Sequence, residues 1–87
     1  MPATLSSAVD LLASGRLEAA VDALAPLAGG SRTGVIARFR RAEGLSRLGR
    51  HDEACREAAR AAAEAEGSPA AALWLAWTLA EAGRHAE

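Results

Sequence analysis

The chain has 87 residues, of which 51% are apolar, and its formal net charge is −1. This length allows one domain, and no stretch approaches the roughly 20 apolar residues of a membrane span. Residues 1–7 lack the basic start and apolar run of a secretory leader, and the single cysteine cannot form an internal disulfide. We therefore expect a cytoplasmic protein with no membrane partner. The excess of alanine, with arginine as the only basic side chain besides histidine, is typical of a GC-rich bacterial genome.

The first two predicted helices are joined by a turn at Gly15. Apolar residues follow the 3.6-residue helical period from a start near Thr4, at positions 5, 8, 9, 11 and 12. Gly15 is expected to end this helix, because a left-handed closing residue costs glycine little. A second helix begins near Leu17, and Pro26 should kink it or end it early, since proline removes a backbone donor. Residues 29–34 form a predicted loop.

Three further helices are predicted over residues 35–48, 52–66 and 69–82, closed by Gly49, Gly67 and Gly83. Asp52 is a favourable cap for the fourth helix, and Ser68 followed by Pro69 is the strongest start signal in the chain. Glu57, Arg60 and Glu64 are spaced as helical ion pairs and predict a solvated face on the fourth helix.

A segment that begins with Gly-Arg recurs every 34 residues, at positions 15, 49 and 83. Small residues occupy one column at the same interval, and a large residue follows three places on, as in Ala8, Leu11, Ala42, Leu45, Ala76 and Leu79. Ala20 and Ala54 form a third column. Alanine lets two helix axes approach closely, and the large neighbour fills the groove between them. A fixed period of this length between helices predicts a stacked helical array.

These columns resemble the tetratricopeptide repeat family over the whole chain. The resemblance implies an all-α, right-handed α-solenoid of five helices in a single domain, 1–87. Its repeats would span 1–34 and 35–68, with a truncated third repeat over 69–87. It also implies a scaffold that binds a partner protein or peptide on a concave face, as part of a larger protein. The family's asparagine-containing carboxylate clamp is not carried over, because this chain has no asparagine.

The helical wheel predicts one partner-binding groove across two repeats. Arg40, Glu43 and Arg47 share a face of the third helix. The residues 34 positions later on the fifth helix are Trp74, Trp77 and Glu81. Arginine beside tryptophan is enriched at binding hot spots. The alternative is that the tryptophans pack against missing structure while the arginines are merely solvated.

Two arginines lie where the family packs apolar residues. Arg38 and Arg41 share an arc of the third helix with Leu45 and Leu48. Because a buried guanidinium must reach solvent or an acid, we expect one of them to pair with Glu18 or Asp22 of the second helix.

Two alternative functions remain open. The helix over 69–82 is apolar almost all round, which predicts a homodimer in which Leu73, Trp74 and Trp77 meet about a two-fold axis. The helix over 35–48 is rich in arginine, which could bind an acidic ligand or nucleic acid. Its arginines are spread around the helix rather than aligned, the net charge is negative and lysine is absent, so the sequence does not favour nucleic acid.

His51 and Cys55 lie one helical turn apart, and His85 is the only further histidine. Two ligands do not make a zinc site, and a nucleophile–base pair would need a third group to orient it. We therefore predict no catalytic residues, no metal, no cofactor and no enzymatic activity.

Overall fold

The structure, a computed structural model, describes the backbone of residues 4–86 and the side chains of residues 4–84. Within these residues five α-helices follow one another: α1 (Leu5–Ala13), α2 (Leu17–Leu24), α3 (Arg32–Arg47), α4 (His51–Glu64) and α5 (Pro69–Ala86). A 3₁₀ turn at Ala25–Leu27 follows α2, and no strand occurs in this part of the chain. The prediction of an all-α protein with five helices is confirmed.

Side-chain caps begin three of the helices. The Thr4 hydroxyl accepts a hydrogen bond from the Ser7 N–H at 3.1 Å, and the Ser31 hydroxyl accepts one from Gly34 at 3.0 Å. The Ser68 hydroxyl accepts from the N–H of Ala71, as the sequence start signal predicted. Glycines in the left-handed region close α1, α3 and α4, with φ values of 81°, 83° and 86° at Gly15, Gly49 and Gly67.

Several predicted boundaries were wrong. The α3 helix begins at Arg32, within the predicted loop, because Ser31 caps it. The α4 helix begins at His51 after Arg50, which makes no side-chain cap, so Asp52 lies inside the first turn. Gly83 does not end α5, because its backbone stays helical and the helix continues to Ala86. The effect of Pro26 was predicted correctly, since α2 ends at Leu24.

The α3 helix lies at the centre of the fold and packs against the other four helices. It comes close to α1 and α2 at Gly44, where an added Cβ would lie 2.9 Å from Val21 Cγ2 and 3.1 Å from Leu12 Cδ2. The four alanines of the small-residue columns in the first two repeats are fully buried: Ala8, Ala20, Ala42 and Ala54. Small residues at these positions allow short distances between helix axes. The molecule measures 40 × 29 × 16 Å, and its shortest dimension fits two layers of helices.

The same columns are open to solvent on α5. Ala42 and Leu45 are fully buried on α3, whereas Ala76 is exposed and Leu79 is 52% exposed. The α4 helix packs along α3, and α5 has only α3 and α4 as extensive neighbours in the described chain. One side of α5 is therefore an uncovered apolar face.

An ion-pair network joins α3 to α4. Arg38 Nη1 donates to Glu57 Oε1 at 2.7 Å, and Arg41 Nη1 donates to Glu57 Oε2 at 2.5 Å. Arg38 Nε lies 2.5 Å from Glu64 Oε1. The Glu57 side chain is only 10% exposed, so its charge is stabilised by two guanidinium groups in a largely dry position. The hydrogen bond that Arg38 donates to Glu57 raises the pKa of Arg38, which keeps this arginine charged.

This network corrects two predictions. The acids that meet Arg38 and Arg41 are on α4 rather than being Glu18 or Asp22 of α2. The reason is that α3 presents Gly44, not its arginines, to the α2 side chain Val21. The prediction of a solvated face on α4 was also wrong. Glu57 and Glu64 pair with Arg38 of α3 instead of with Arg60 of their own helix.

Candidate partner-binding groove

A groove of about 500 Å³ lies between α3 and α5. It is lined from α3 by Glu43 and Arg47, and from α5 by Ala70, Leu73, Trp74 and Trp77. We call it the α3/α5 groove. The structure thus brings together four of the six residues that the wheel assigned to a partner-binding face, and the other two lie beside them.

Trp74 lines this groove and packs against α3. Its ring stacks on Phe39 with centroids 4.8 Å apart and an interplanar angle of 24°. The guanidinium carbon of Arg40 lies 5.1 Å from the Trp74 ring centroid, within the range of a cation–π contact. Phe39 is buried in the core, so Trp74 is anchored to it through one face. This tryptophan therefore packs against α3 rather than against missing structure.

Two arginines on the α3 wall share one carboxylate. Arg40 Nη1 lies 3.1 Å from Glu43 Oε1, and Arg47 Nη2 lies 3.1 Å from Glu43 Oε2. The side chain of Glu43 is 14% exposed, whereas that of Arg47 is 51% exposed. The α3 wall therefore presents the half-exposed guanidinium group of Arg47, and the carboxylate that it contacts, Glu43, also pairs with Arg40.

The groove continues toward the end of α3 as a smaller depression of about 280 Å³. Arg47 and Trp77 line both sections, so the two are continuous. Glu81 borders this second section, and its carboxylate is bonded at 3.1 Å to Arg84 one turn later on α5. His51 also lines this section, although nothing in the sequence assigned it to the groove.

An apolar pocket of about 490 Å³ at the start of α3 was missed by the sequence interpretation. Its walls include Val35, Ile36 and Phe39 of α3, with Ala71 and Trp74 of α5. Trp74 and Ala70 also line the α3/α5 groove, so the pocket adjoins it. A signal for this pocket was present in the sequence, because Val35, Ile36 and Phe39 are apolar and directly precede the predicted groove residue Arg40 on the same helix.

The large apolar side chains that the described structure exposes are all on α5. They are Leu73, at 73% exposed, Trp77, at 40%, and Leu79, at 52%. Leu73 and Trp77 line the α3/α5 groove, while Leu79 does not. The three residues predicted to mediate self-association therefore differ in exposure. Leu73 and Trp77 are exposed, whereas Trp74 is half-buried and stacks on Phe39.

No cluster of three or more potential metal ligands occurs among the described side chains. Cys55 is free and half-buried, and His51 is half-buried one turn before it. The side chain of His85 lies outside the described residues. None of the helices within residues 4–86 combines the length and the apolar character that a bilayer crossing requires.

Comparisons with protein-family models, with curated proteins and with solved structures find no match to this chain.

Proposed function

We propose that this chain is a non-catalytic protein-interaction module of a cytoplasmic bacterial protein, and that it binds a partner peptide or protein in the α3/α5 groove. One observation carries the proposal. Among the residues that the structure describes, the exposed large apolar side chains gather on a single helix, and two of these three, Leu73 and Trp77, line a groove next to a half-exposed arginine. Exposed apolar surface bordered by polar groups is typical of interaction sites, and tryptophan and arginine are the residues that most often dominate binding energy.

We further propose that the helices form a right-handed solenoid of the tetratricopeptide type. Two observations support this proposal. Two pairs of alanines 34 positions apart are fully buried in both of the first two units, Ala8 with Ala42 and Ala20 with Ala54. Each helix also packs against the next one in the chain, which is the arrangement expected of stacked hairpins. In such an array α3 and α5 would be equivalent helices of neighbouring units.

Selection from a phage-displayed library of random dodecapeptides tests the binding function. Enriched peptides should lose about 30-fold in affinity on Trp77→Ala, since removal of a hot-spot side chain costs about 2 kcal/mol or more. Leu79→Ala is the matched control, because Leu79 is exposed on the same helix but outside the groove. Circular dichroism verifies that both variants remain helical. A library that yields no peptide, or equal losses for the two variants, would contradict the groove.

Self-association through α5 is the second candidate function. The specific observation is that α5 carries no charged residue from Pro69 to Ala80, and that Ala72, Ala76 and Leu79 are exposed. Two copies could cover this face about a two-fold axis. Light scattering of the wild type and Trp77→Glu tests it: a dimer that becomes monomeric in the variant supports the idea. A wild type that stays monomeric at high micromolar concentration rejects it.

The nucleic-acid alternative has less support, because the arginines of α3 are largely committed to acids within the protein. Arg38 and Arg41 bond to Glu57, and Arg40 and Arg47 share Glu43. Phosphate binding would have to compete with these pairs. Titration with excess RNA at increasing salt discriminates this alternative, since phosphate contacts weaken steeply with ionic strength.

A further inference from the structure

We propose that the α3/α5 groove selects a partner segment that combines a large apolar side chain with neighbouring carboxylates. This inference rests on the binding function proposed above and specifies its ligand chemistry. The carboxylates would be side chains within a peptide or protein segment. They would meet the guanidinium groups of α3 while the apolar side chain packs against Leu73 and Trp77.

The pairing of charges around the groove favours an acidic ligand. Each acid at its border already has a cation: Glu64 is ion-paired with Arg38, Glu81 with Arg84, and Glu43 with both Arg40 and Arg47. The cations are not matched in the same way. Arg40 and Arg47 divide one carboxylate, which leaves one positive charge on this wall uncompensated.

A further cation lies at the other end of the α3 face. Arg32 is exposed at the start of α3 and lines the apolar pocket that adjoins the groove. The positive end of the helix dipole is located there too, so the local potential is more positive than the side chain alone would make it. From Arg32 to Arg47 the helix spans about 23 Å. An extended segment of about seven residues covers that distance, which is enough to place carboxylates at both ends of one apolar anchor.

The geometry of Arg47 makes it the main selectivity residue. Its side chain is 51% exposed, and it lines both sections of the groove together with Trp77. A guanidinium can bond two carboxylates at once through its separate N–H groups, so a ligand acid does not have to displace Glu43. Because Trp77 lies beside it, one ligand residue can pack on the indole while a neighbouring acid reaches Arg47. A basic ligand in the same position would meet Arg47 as a like charge.

Three synthetic versions of one peptide provide the test. The tightest dodecapeptide from the library is prepared with its apolar residues kept and its polar positions changed to glutamate, serine or lysine. Acetylated and amidated ends remove the terminal charges. By fluorescence anisotropy at about 50 mM salt, we expect the glutamate version to bind about tenfold more tightly than the serine version, and the lysine version to bind most weakly. The gap should shrink at about 0.5 M salt, where surface charges are screened.

Charge reversal at the selectivity residue decides the assignment. Arg47→Glu should invert the order of the glutamate and lysine peptides, whereas Arg56→Glu, an exposed arginine on α4, should leave the order unchanged. An unchanged order in Arg47→Glu, or equal affinity of the three wild-type complexes, overturns the inference while leaving a binding groove in place.

Two further results would also overturn it. The first is displacement of the labelled acidic peptide by a single-stranded oligonucleotide at a lower concentration than the unlabelled peptide requires. The second is a second copy of the chain occupying the groove, seen as a dimer that the peptide dissociates. A library without any binder removes the proposed function and this inference together.

Discussion

Replacing Glu57 with alanine should destabilise the protein more than the removal of any other single charge on α4. Its side chain is 10% exposed and accepts hydrogen bonds from Arg38 at 2.7 Å and from Arg41 at 2.5 Å. Glu57→Ala leaves two partly buried guanidinium groups without this carboxylate. Removal of one partner from a buried ion pair costs about 3–5 kcal/mol.

Two features reduce that figure here. Arg38 keeps its second acid, Glu64, and the side chains of Arg38 and Arg41 retain some contact with water. We therefore expect a loss of about 2–3 kcal/mol in the free energy of unfolding. Small domains have total stabilities at the lower end of about 5–15 kcal/mol, so this loss would be a large fraction of the whole.

Urea denaturation followed by circular dichroism at 222 nm measures the effect, because most of the described chain is helical. We expect the midpoint to fall with little change in slope, since the surface exposed on unfolding is the same. Glu53→Ala is the matched control: this carboxylate is on the same helix and also bonds an arginine, Arg50, but the pair is solvent-exposed. Exposed pairs contribute little, so its midpoint should move far less.

A second variant separates the charge from the packing. Replacing Glu57 together with Arg38 and Arg41 by apolar residues of similar volume should recover much of the lost stability, because the buried charges are removed together. A midpoint for Glu57→Ala equal to that of Glu53→Ala would refute the argument that α3 and α4 are joined by a buried ionic network.

The other predictions concern glycine, the aromatic stack and pH. Gly44→Ala should lower stability by about 1 kcal/mol, because the gain in helix propensity is outweighed by the clash with Val21 in the core. Gly83→Ala should raise the free energy of unfolding by up to about 0.5 kcal/mol, because the added methyl group would lie in open space. The thermal unfolding midpoints of the two variants should therefore shift in opposite directions. Trp74→Ala should lower the free energy of unfolding by less than about 3 kcal/mol, because part of the ring is already exposed in the folded protein. It should also abolish the near-ultraviolet circular dichroism signal of the tryptophan that stacks on Phe39. The hydrogen bond that Arg50 donates lowers the pKa of Glu53 in the folded protein. The stabilisation from this bond is therefore present above the pKa of glutamate in the unfolded chain, and it is lost as pH falls through the lower pKa of the folded state. Glu53→Gln should remove this part of the acid dependence in a pH series of denaturation curves. A Gln variant with the same acid limb as the wild type would show that Glu53 does not contribute to it.

The positions of the helices could be read from the sequence because their signals are local. Glycine in a left-handed turn at 15, 49 and 67, and serine or threonine caps at 4 and 68, depend only on residues a few positions away. The errors came where two local signals competed. Gly83 resembles Gly49 in its neighbours, yet it stays helical. Ser31 begins α3 inside a stretch of glycine that otherwise reads as loop.

Four of the six residues that line the α3/α5 groove followed from the repeat period. The helical wheel and the 34-residue interval were sufficient to predict that Glu43, Arg47, Trp74 and Trp77 share one groove. The apolar pocket beside Val35 and Phe39 was not predicted, because it depends on how far α5 lies from the start of α3. That distance is set by tertiary packing and has no local sequence signal.

The sequence by itself determined the all-α class, the number of helices and four of the residues that line the α3/α5 groove. The reason is that periodicity, capping and propensity act within one helix or between equivalent positions of a repeat. Only the tertiary structure decided which acids meet Arg38 and Arg41, and how Trp74 differs from Trp77. A helical wheel gives the direction of a side chain but not the identity of the neighbour in that direction. Thus Arg38 points to Glu57 on α4 rather than to α2, and Trp74 stacks on Phe39 while Trp77, three residues later, remains 40% exposed.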